Sequence, residues 1–282
     1  MPLALRARAA GLTRGDVHAA LGSGELVLSW LNRGTLHLVC RDDYWWLHAL
    51  TAPTVRAGNR RRLAEEGVTD PPRAVKRIVR ALGNGPLLRS EIGNQVDLAG
   101  PALTHALVAA TLEGLIVRGP VRGREQTFVL AADHLGEHTH VDRGAALAEL
   151  ARRYLASHAP ASEADLAYWS GLPLRDVRAG MAAVSRVEAV TSRRPPDIPP
   201  KLLPPFDPYI LGWKDRSFAI PPELTKRVMP GGGMFRAVVL IDGRVTGTWS
   251  RGDGRVALNA PVVDGLEAEI RDVERFLACT RE

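Results

Sequence analysis

The sequence predicts an α+β fold: tandem winged-helix (helix-turn-helix) units followed by a small C-terminal antiparallel β domain. Three observations carry this expectation. Residues 71–130 read as three helices and a β-hairpin with a basic tip, which is the element order of a winged helix. Residues 142–192 repeat helix, short helix, second helix and strand at a separation of about 70 residues. Beyond a proline-dense stretch, RRPPDIPPKLLPPFDP from Arg193 to Pro208, short β-rich runs alternate with glycine-containing turns. The expected divisions are a first winged-helix unit at 1–70 that is N-terminally incomplete, a second with a basic wing at 71–141, a third at 142–195, and a β-barrel-like domain with a terminal helix at 196–282.

Taken in order, Ala4–Ala10 reads as a short helix, and Thr13 is placed to cap a second from Arg14 to Leu21. Asp42 and Asp43 open the helix YWWLHALTAP, where their charges suit the dipole, and Pro53 is expected to end it. Trp45 and Trp46 are adjacent, so at most one lies on the buried face. Pro71–Leu82 carries Val75, Ile78, Val79 and Leu82 at helical spacing between an opening proline pair and Gly83. Ser90 caps the short helix EIGNQV, and PALTHALVAATLEGL follows as the long helix expected to face a major groove. LIVRGPV and TFVL form the hairpin. In the next unit Pro173 opens PLRDVRAGMAAV, Trp169 is expected to seal two helices, and VEAVTS is the strand. The proline-dense stretch is expected to be a stiff linker. After it FAI, FRAVVLIDG, RVTGTWS and RVALNA read as strands, and Leu266–Ala278 as the last helix.

The net charge is +6, distributed as +2 over residues 1–70, +4 over 71–130 and zero over 131–282. A polyanion is therefore expected on the first half. The long helix has Thr104 and His105 but no Arg or Lys before Arg118, so guanine reading through a bidentate arginine is not expected from it. Arg122 and Arg124, at the hairpin tip, suit either phosphate contacts or a solvated turn. No stretch approaches the roughly 18 apolar residues of a membrane span and Met1–Ala10 lacks a signal-peptide core, so the expectation is a cytoplasmic protein without membrane contact. Cys40 and Cys279 are far apart in apolar surroundings and read as buried spectator thiols. His134, His138 and His140 lack companion ligands at matching spacing, and neither metal nor cofactor is expected. Gly231–Gly233 lacks the Lys-Ser/Thr of a nucleotide loop and reads as a turn.

The run WLNRGTLHLV, Trp30–Val39, interrupts apolar residues with polar ones. In a strand, Arg33, Thr35 and His37 would share one face, with Leu36 and Leu38 directed to the core. Gly34 leaves room for a bend or for another backbone. The pattern fits a nucleic-acid-facing patch or a solvated strand face equally.

WLNRGTLHLV, SEADLAYWSGLPL and LLPPFDPYILGWKDR with IDGRVTGTW, in that order, resemble the AlkZ/YcaQ-like winged-helix DNA glycosylases of bacteria over nearly the whole chain. The resemblance implies a concave basic cleft for double-stranded DNA, recognition of bulky alkylated or crosslinked purines in base excision repair, no metal, and action as a monomer on damaged DNA in the nucleoid. It places Arg33, Thr35 and His37 as a wall of the lesion pocket, with Lys214 and Arg216 adding phosphate contacts to those of Arg122 and Arg124. In that family hydrolysis is assigned to a Gln-Φ-Gln or Gln-Φ-Asp motif just before the segment matching LALRAR, which here begins at Leu3. The expected place of the motif is thus upstream of Met1. Gln95 and Gln126 do not match it, and no catalytic residue is assigned in this chain. The alternatives are a non-catalytic winged-helix DNA binder or transcription regulator, which would prefer a palindromic sequence, and a protein-interaction scaffold, which would show no salt-dependent DNA affinity.

Overall fold

The structure, a computed structural model, describes residues 2–138, 141–184, 198–252 and 255–278. The elements begin with α1 (Pro2–Arg6), α2 (Arg14–Gly22), β1 (Leu26–Trp30), β2 (Leu36–Cys40) and α3 (Arg41–Glu65). They continue with α4 (Pro71–Leu82), α5 (Arg89–Val96), α6 (Gly100–Leu112), β3 (Ile116–Arg122), β4 (Glu125–Leu130) and α7 (Ala131–Leu135). Next come α8 (Arg143–His158), α9 (Glu163–Ser170) and α10 (Leu174–Ala183). The last part holds β5 (Lys201–Leu203), α11 (Pro208–Leu211), α12 (Thr225–Val228), β6 (Val238–Ile241), β7 (Arg244–Gly252), β8 (Arg255–Asn259) and α13 (Leu266–Ala278). Two compact units contain them, one of Met1–Val17, Ala156–Asp165 and Glu188–Glu282, the other of His18–Leu155 and Leu166–Val187. No helix among the described residues is long and apolar enough to cross a membrane.

The unit of His18–Leu155 and Leu166–Val187 is built on α4, α5 and α6 followed by the β3–β4 hairpin, the winged-helix order. The Asp70 carboxylate accepts from the Arg73 amide at 3.0 Å and caps α4. Glu91 accepts from the Leu88 amide at 2.7 Å at the start of α5, so that helix begins at Arg89 and Ser90 lies within it. Val75, Ile78 and Leu82 of α4 meet Ile92 and Val96 of α5, Leu103 and Leu107 of α6, and Ile116 and Phe128 of the hairpin in one core. In the later helices, Trp169 is half-buried against Tyr154, with ring centroids 5.5 Å apart. The strand expected at VEAVTS lies outside the described residues.

Four expectations are corrected in this unit. WLNRGTLHLV is not one strand: β1 and β2 form an antiparallel hairpin, Leu26 facing Cys40 and Trp30 facing Leu36, around a single 3-10 turn at Asn32–Gly34. Pro53 does not end its helix, because α3 runs through it to Glu65. Pro53 is on the exposed side of the helix, where the loss of one backbone hydrogen bond is tolerated best. Cys40 is exposed, since it closes β2 at the edge of its sheet, and Cys279 lies outside the described residues. The fourth concerns α6, which along most of its length is not free to enter a groove. Ala52 of α3 packs with its Val108 and Leu112. The Asn59 amide donates to the His105 carbonyl at 3.1 Å, and Arg56 donates to the Leu112 carbonyl at 2.9 Å. The sheet runs β2-β1-β3-β4, so the two hairpins share it through Leu28 opposite Arg118.

His48, on the buried side of α3, donates from Nε2–H to the Thr111 carbonyl at 2.9 Å. Burial, chiefly, holds its pKa below the ordinary 6.5, with Arg56 and His138 adding to the effect against the carbonyl bond. His134 is lowered too, by burial first, while bonded to the Leu21 carbonyl. His138 packs on Trp45 at 4.6 Å, and His140 lies outside the described residues. A histidine that stays neutral when folded binds fewer protons than the unfolded chain below pH 6.5, so its contribution to stability declines as pH falls through that value. The expected result is a melting temperature that drops between about pH 7 and 5, with a shallower drop in His48→Gln, measured by thermal denaturation.

In the other unit, β5-β6-β7-β8 form an antiparallel sheet with both faces covered. Leu203, Val238 and Leu240 point into one core with Ile210, Ile220 and Val228, while Leu202, Ala237 and Val239 point into another with Trp249, Leu266 and Val273. The described part of the proline-dense stretch is therefore not simply linker, because Lys201–Leu203 pairs with β6. An edge position tolerates the flanking prolines. FAI is likewise not a strand: Ala219 and Ile220 are buried in a turn, their amides donating to the Arg216 carbonyl at 3.0 and 2.8 Å. Arg6 of α1 is enclosed here, with Nη2 2.7 Å from Glu269 and 2.9 Å from the Leu202 carbonyl, and Nη1 3.0 Å from Asp272. Arg8 forks onto Asp207 at 2.6 and 3.0 Å.

Candidate nucleic-acid interface

The tip of the β1–β2 hairpin is shaped by its backbone. The Gly34 and Thr35 amides donate to the Leu31 and Asn32 carbonyls at 2.9 and 3.1 Å, which closes the turn. Arg33 takes φ +55° and Gly34 φ +71°. A non-glycine residue in this region is uncommon, and it turns the Arg33 side chain outward. Gly34 is required twice over, because a Cβ there would lie 2.9 Å from Val55 of α3. The guanidinium carbon of Arg33 sits 5.2 Å from the Tyr168 ring centroid, and a Cβ at Gly171 would come within 2.7 Å of Arg33 Cγ. Gly171 thus makes space for Arg33.

Thr35 and His37 meet through the backbone. The Thr35 hydroxyl donates to the Asn32 carbonyl at 3.1 Å, and the Thr35 carbonyl accepts from His37 Nδ1–H at 2.9 Å. His37 is half-buried, and burial lowers its pKa, with Arg33 acting in the same direction and the carbonyl bond against it. A neutral ring whose Nδ1–H is spent on a carbonyl presents Nε2 as an acceptor. The turn therefore gathers an exposed cation, an exposed hydroxyl and a neutral imidazole. Of the residues expected to share a strand face, Thr35 and His37 interact directly, whereas Arg33 reaches its place through the turn. Asn32, Tyr168 and Gly171 were not singled out from the sequence. Asn32 is 2% exposed with Oδ1 buried and unpartnered, and no spacing signal marks it.

At the wing of the same unit, Arg122 is exposed and ion-paired with Glu91, the residue that caps α5. That pair joins the wing to α5. Arg124 is exposed at the tip beyond it. In the other unit Lys214 is exposed, its amide donating to Asp165 at 3.0 Å. Arg216 is spent on its own loop: Nε donates to the Ile210 carbonyl at 2.8 Å and the guanidinium lies 5.1 Å from the Phe235 ring centroid. Among the described residues no group of three or more His, Cys, Asp or Glu side chains is arranged to hold a metal ion.

No curated protein matches the chain. Among solved structures, Streptomyces sahachiroi DNA glycosylase AlkZ is similar over 99% of this chain and 86% of its own, with a TM-score of 0.70 and 22% identity, a likeness of fold. The profile of the family described as DNA glycosylase AlkZ-like matches residues 2–278. With the fold and nearly the whole sequence in agreement, the chain belongs to the AlkZ-like DNA glycosylase family.

Proposed function

We propose that this chain recognises bulky N-alkylated or crosslinked purines in duplex DNA and serves their excision, with the β1–β2 turn against the lesion and the wing on the backbone. The observation that carries this is the turn itself, where left-handed Arg33 beside Gly34 sets a cation, the Thr35 hydroxyl and the neutral His37 ring at one exposed point of an AlkZ-like chain. An N7-alkylated purine is already cationic and departs readily, so the chemistry needs a placed water and an environment that tolerates oxocarbenium charge. A cation beside that charge would oppose it. Arg33 is accordingly assigned to a phosphate or to an acceptor edge of the base, and His37 Nε2 and Thr35 to holding water. Arg122, Arg124 and Lys214 supply sequence-independent phosphate contacts, and Arg216 steadies the Lys214 loop. Double-stranded DNA is the partner, the protein acts as a monomer, and the cytoplasmic nucleoid is its place of work.

The test measures binding to, and base release from, duplexes carrying N7-methylguanine or a purine crosslink. Lesion duplex should bind more tightly than undamaged duplex, and Arg33→Ala should lose about tenfold of that preference, as expected for one charge-assisted contact. Equal affinity for damaged and undamaged DNA would overturn the lesion reading. Binding without base release would overturn excision by this chain and leave it a damage-recognition protein.

A further inference from the structure

Arg118 has a peculiar position for a guanidinium. It lies on β3 directly opposite Phe128 of β4, in the middle of the sheet. Its guanidinium carbon is 4.1 Å from the Phe128 ring centroid and 5.0 Å from that of Trp30. Nε is buried without an acceptor, and among the described residues no carboxylate or carbonyl bonds to the group. The Glu91 carboxylate is engaged by Arg122 and the Leu88 amide. Arg89 is held by the Gly100 carbonyl at 2.5 Å and the Thr104 hydroxyl at 2.9 Å, and its charge acts on Arg118 in the same direction as burial. Two residues along β4 from Phe128, and therefore on its face, Gln126 has a buried amide nitrogen that also lacks an acceptor.

Cation–π attraction to two rings returns only part of what desolvating a guanidinium costs. The rest is unbalanced, and burial together with Arg89 pulls the Arg118 pKa down to about 10. A guanidinium whose Nε is buried without an acceptor is compensated when an anion meets its outer nitrogens. We propose that Arg118 is an anion site at the base of the wing that takes a backbone phosphate of DNA. The phosphate faces the outer nitrogens of Arg118, while the aromatic pair fixes the plane of the guanidinium. This assignment rests on the reading of DNA as partner, but the anion site itself is measured separately.

The experiment uses the full chain as wild type, Arg118→Met and Arg118→Lys. Melting is followed with and without inorganic phosphate at matched ionic strength, and binding to an undamaged duplex is followed across a sodium chloride series. Arg118→Met should melt no lower than wild type, because an unpaired charge has been removed, and phosphate should raise the melting temperature of wild type alone. Its plot of log affinity against log salt should be shallower by about one, with Arg118→Lys retaining the wild-type slope. A lower melting temperature with an unchanged slope and an unchanged phosphate response would overturn the proposal and make Arg118 a cap on the aromatic pair. If wild type responds to phosphate but binds no duplex, the DNA reading fails and so does the assignment of a DNA phosphate, leaving an anion site of another use.

Discussion

Arg6→Ala should lower the stability of the C-terminal unit by about 3–5 kcal/mol, the range for removing one partner of a buried ion pair. The side chain of Arg6 is fully enclosed and that of Glu269 is 6% exposed. Without the guanidinium, Glu269 keeps, among the described residues, the Leu202 amide at 2.9 Å and Lys201 at 3.4 Å. The Leu202 carbonyl also loses a donor. Chemical denaturation monitored by Trp249 fluorescence reads the effect, because Trp249 sits in this core with Nε1 donating to the Leu203 carbonyl at 2.9 Å. Arg6→Met combined with Glu269→Leu should recover only part of the loss. Apolar replacement removes both charges, but it leaves the Leu202 amide and carbonyl without partners. Full recovery in the double variant would show that those backbone bonds contribute nothing. Asp272 gives the pair an acid limit. Burial raises its pKa, but bonds from Arg275 and Arg6 outweigh this and hold it below the ordinary 3.8, so this contribution is present above that pH and lost as pH falls through the lowered value.

Phe128→Ala is the second large effect, again about 3–5 kcal/mol for emptying a wholly buried aromatic site. Phe128 is 0% exposed and belongs to the core of α4, α5 and α6. Its backbone exchanges two hydrogen bonds with Leu87, at 2.7 and 3.2 Å, tying β4 to the segment that leads into α5. The ring also stacks with Trp30 at 6.2 Å. Loss of the ring therefore loosens the wing from its helices and the first hairpin from the wing. Hydrogen exchange should show the β3–β4 amides losing protection to the same degree as those of α4. A loss confined to β4 would mean that the wing unfolds as a separate piece.

Most helices of the fold were legible because their signals are local. Pro71, the Val75/Ile78/Leu82 spacing and Gly83 define α4 without help from the rest of the chain. The apolar runs of β6 and β7 and the turn Asp242–Gly243 did the same for the last sheet. What escaped depends on distant partners. Pro53 reads as a stop, yet α3 continues because the helix has a buried side on both sides of it, at Leu50 and Ala52 before and Asn59 and Leu63 after. The burial of α6 was present in its composition: PALTHALVAATL is apolar nearly all round, which marks a helix covered on several sides rather than one facing DNA. At the candidate site, Arg33, Thr35 and His37 could be found as an interruption in an apolar run. Their geometry could not, since it depends on a left-handed Arg33 and on Gly171, more than a hundred residues away in the chain.

The enclosure of Arg6 sets the order in which this protein is completed during its synthesis. Arg6 and Glu269 are 263 residues apart. At a ribosomal pace of about 5–20 residues per second, the cation emerges roughly 13–50 s before its carboxylate exists. Until then α1 has no finished site to enter, and Leu202 lacks the donor and acceptor that close its strand. Folding of this unit therefore waits for Glu269, which closes on a cation made 263 residues before it.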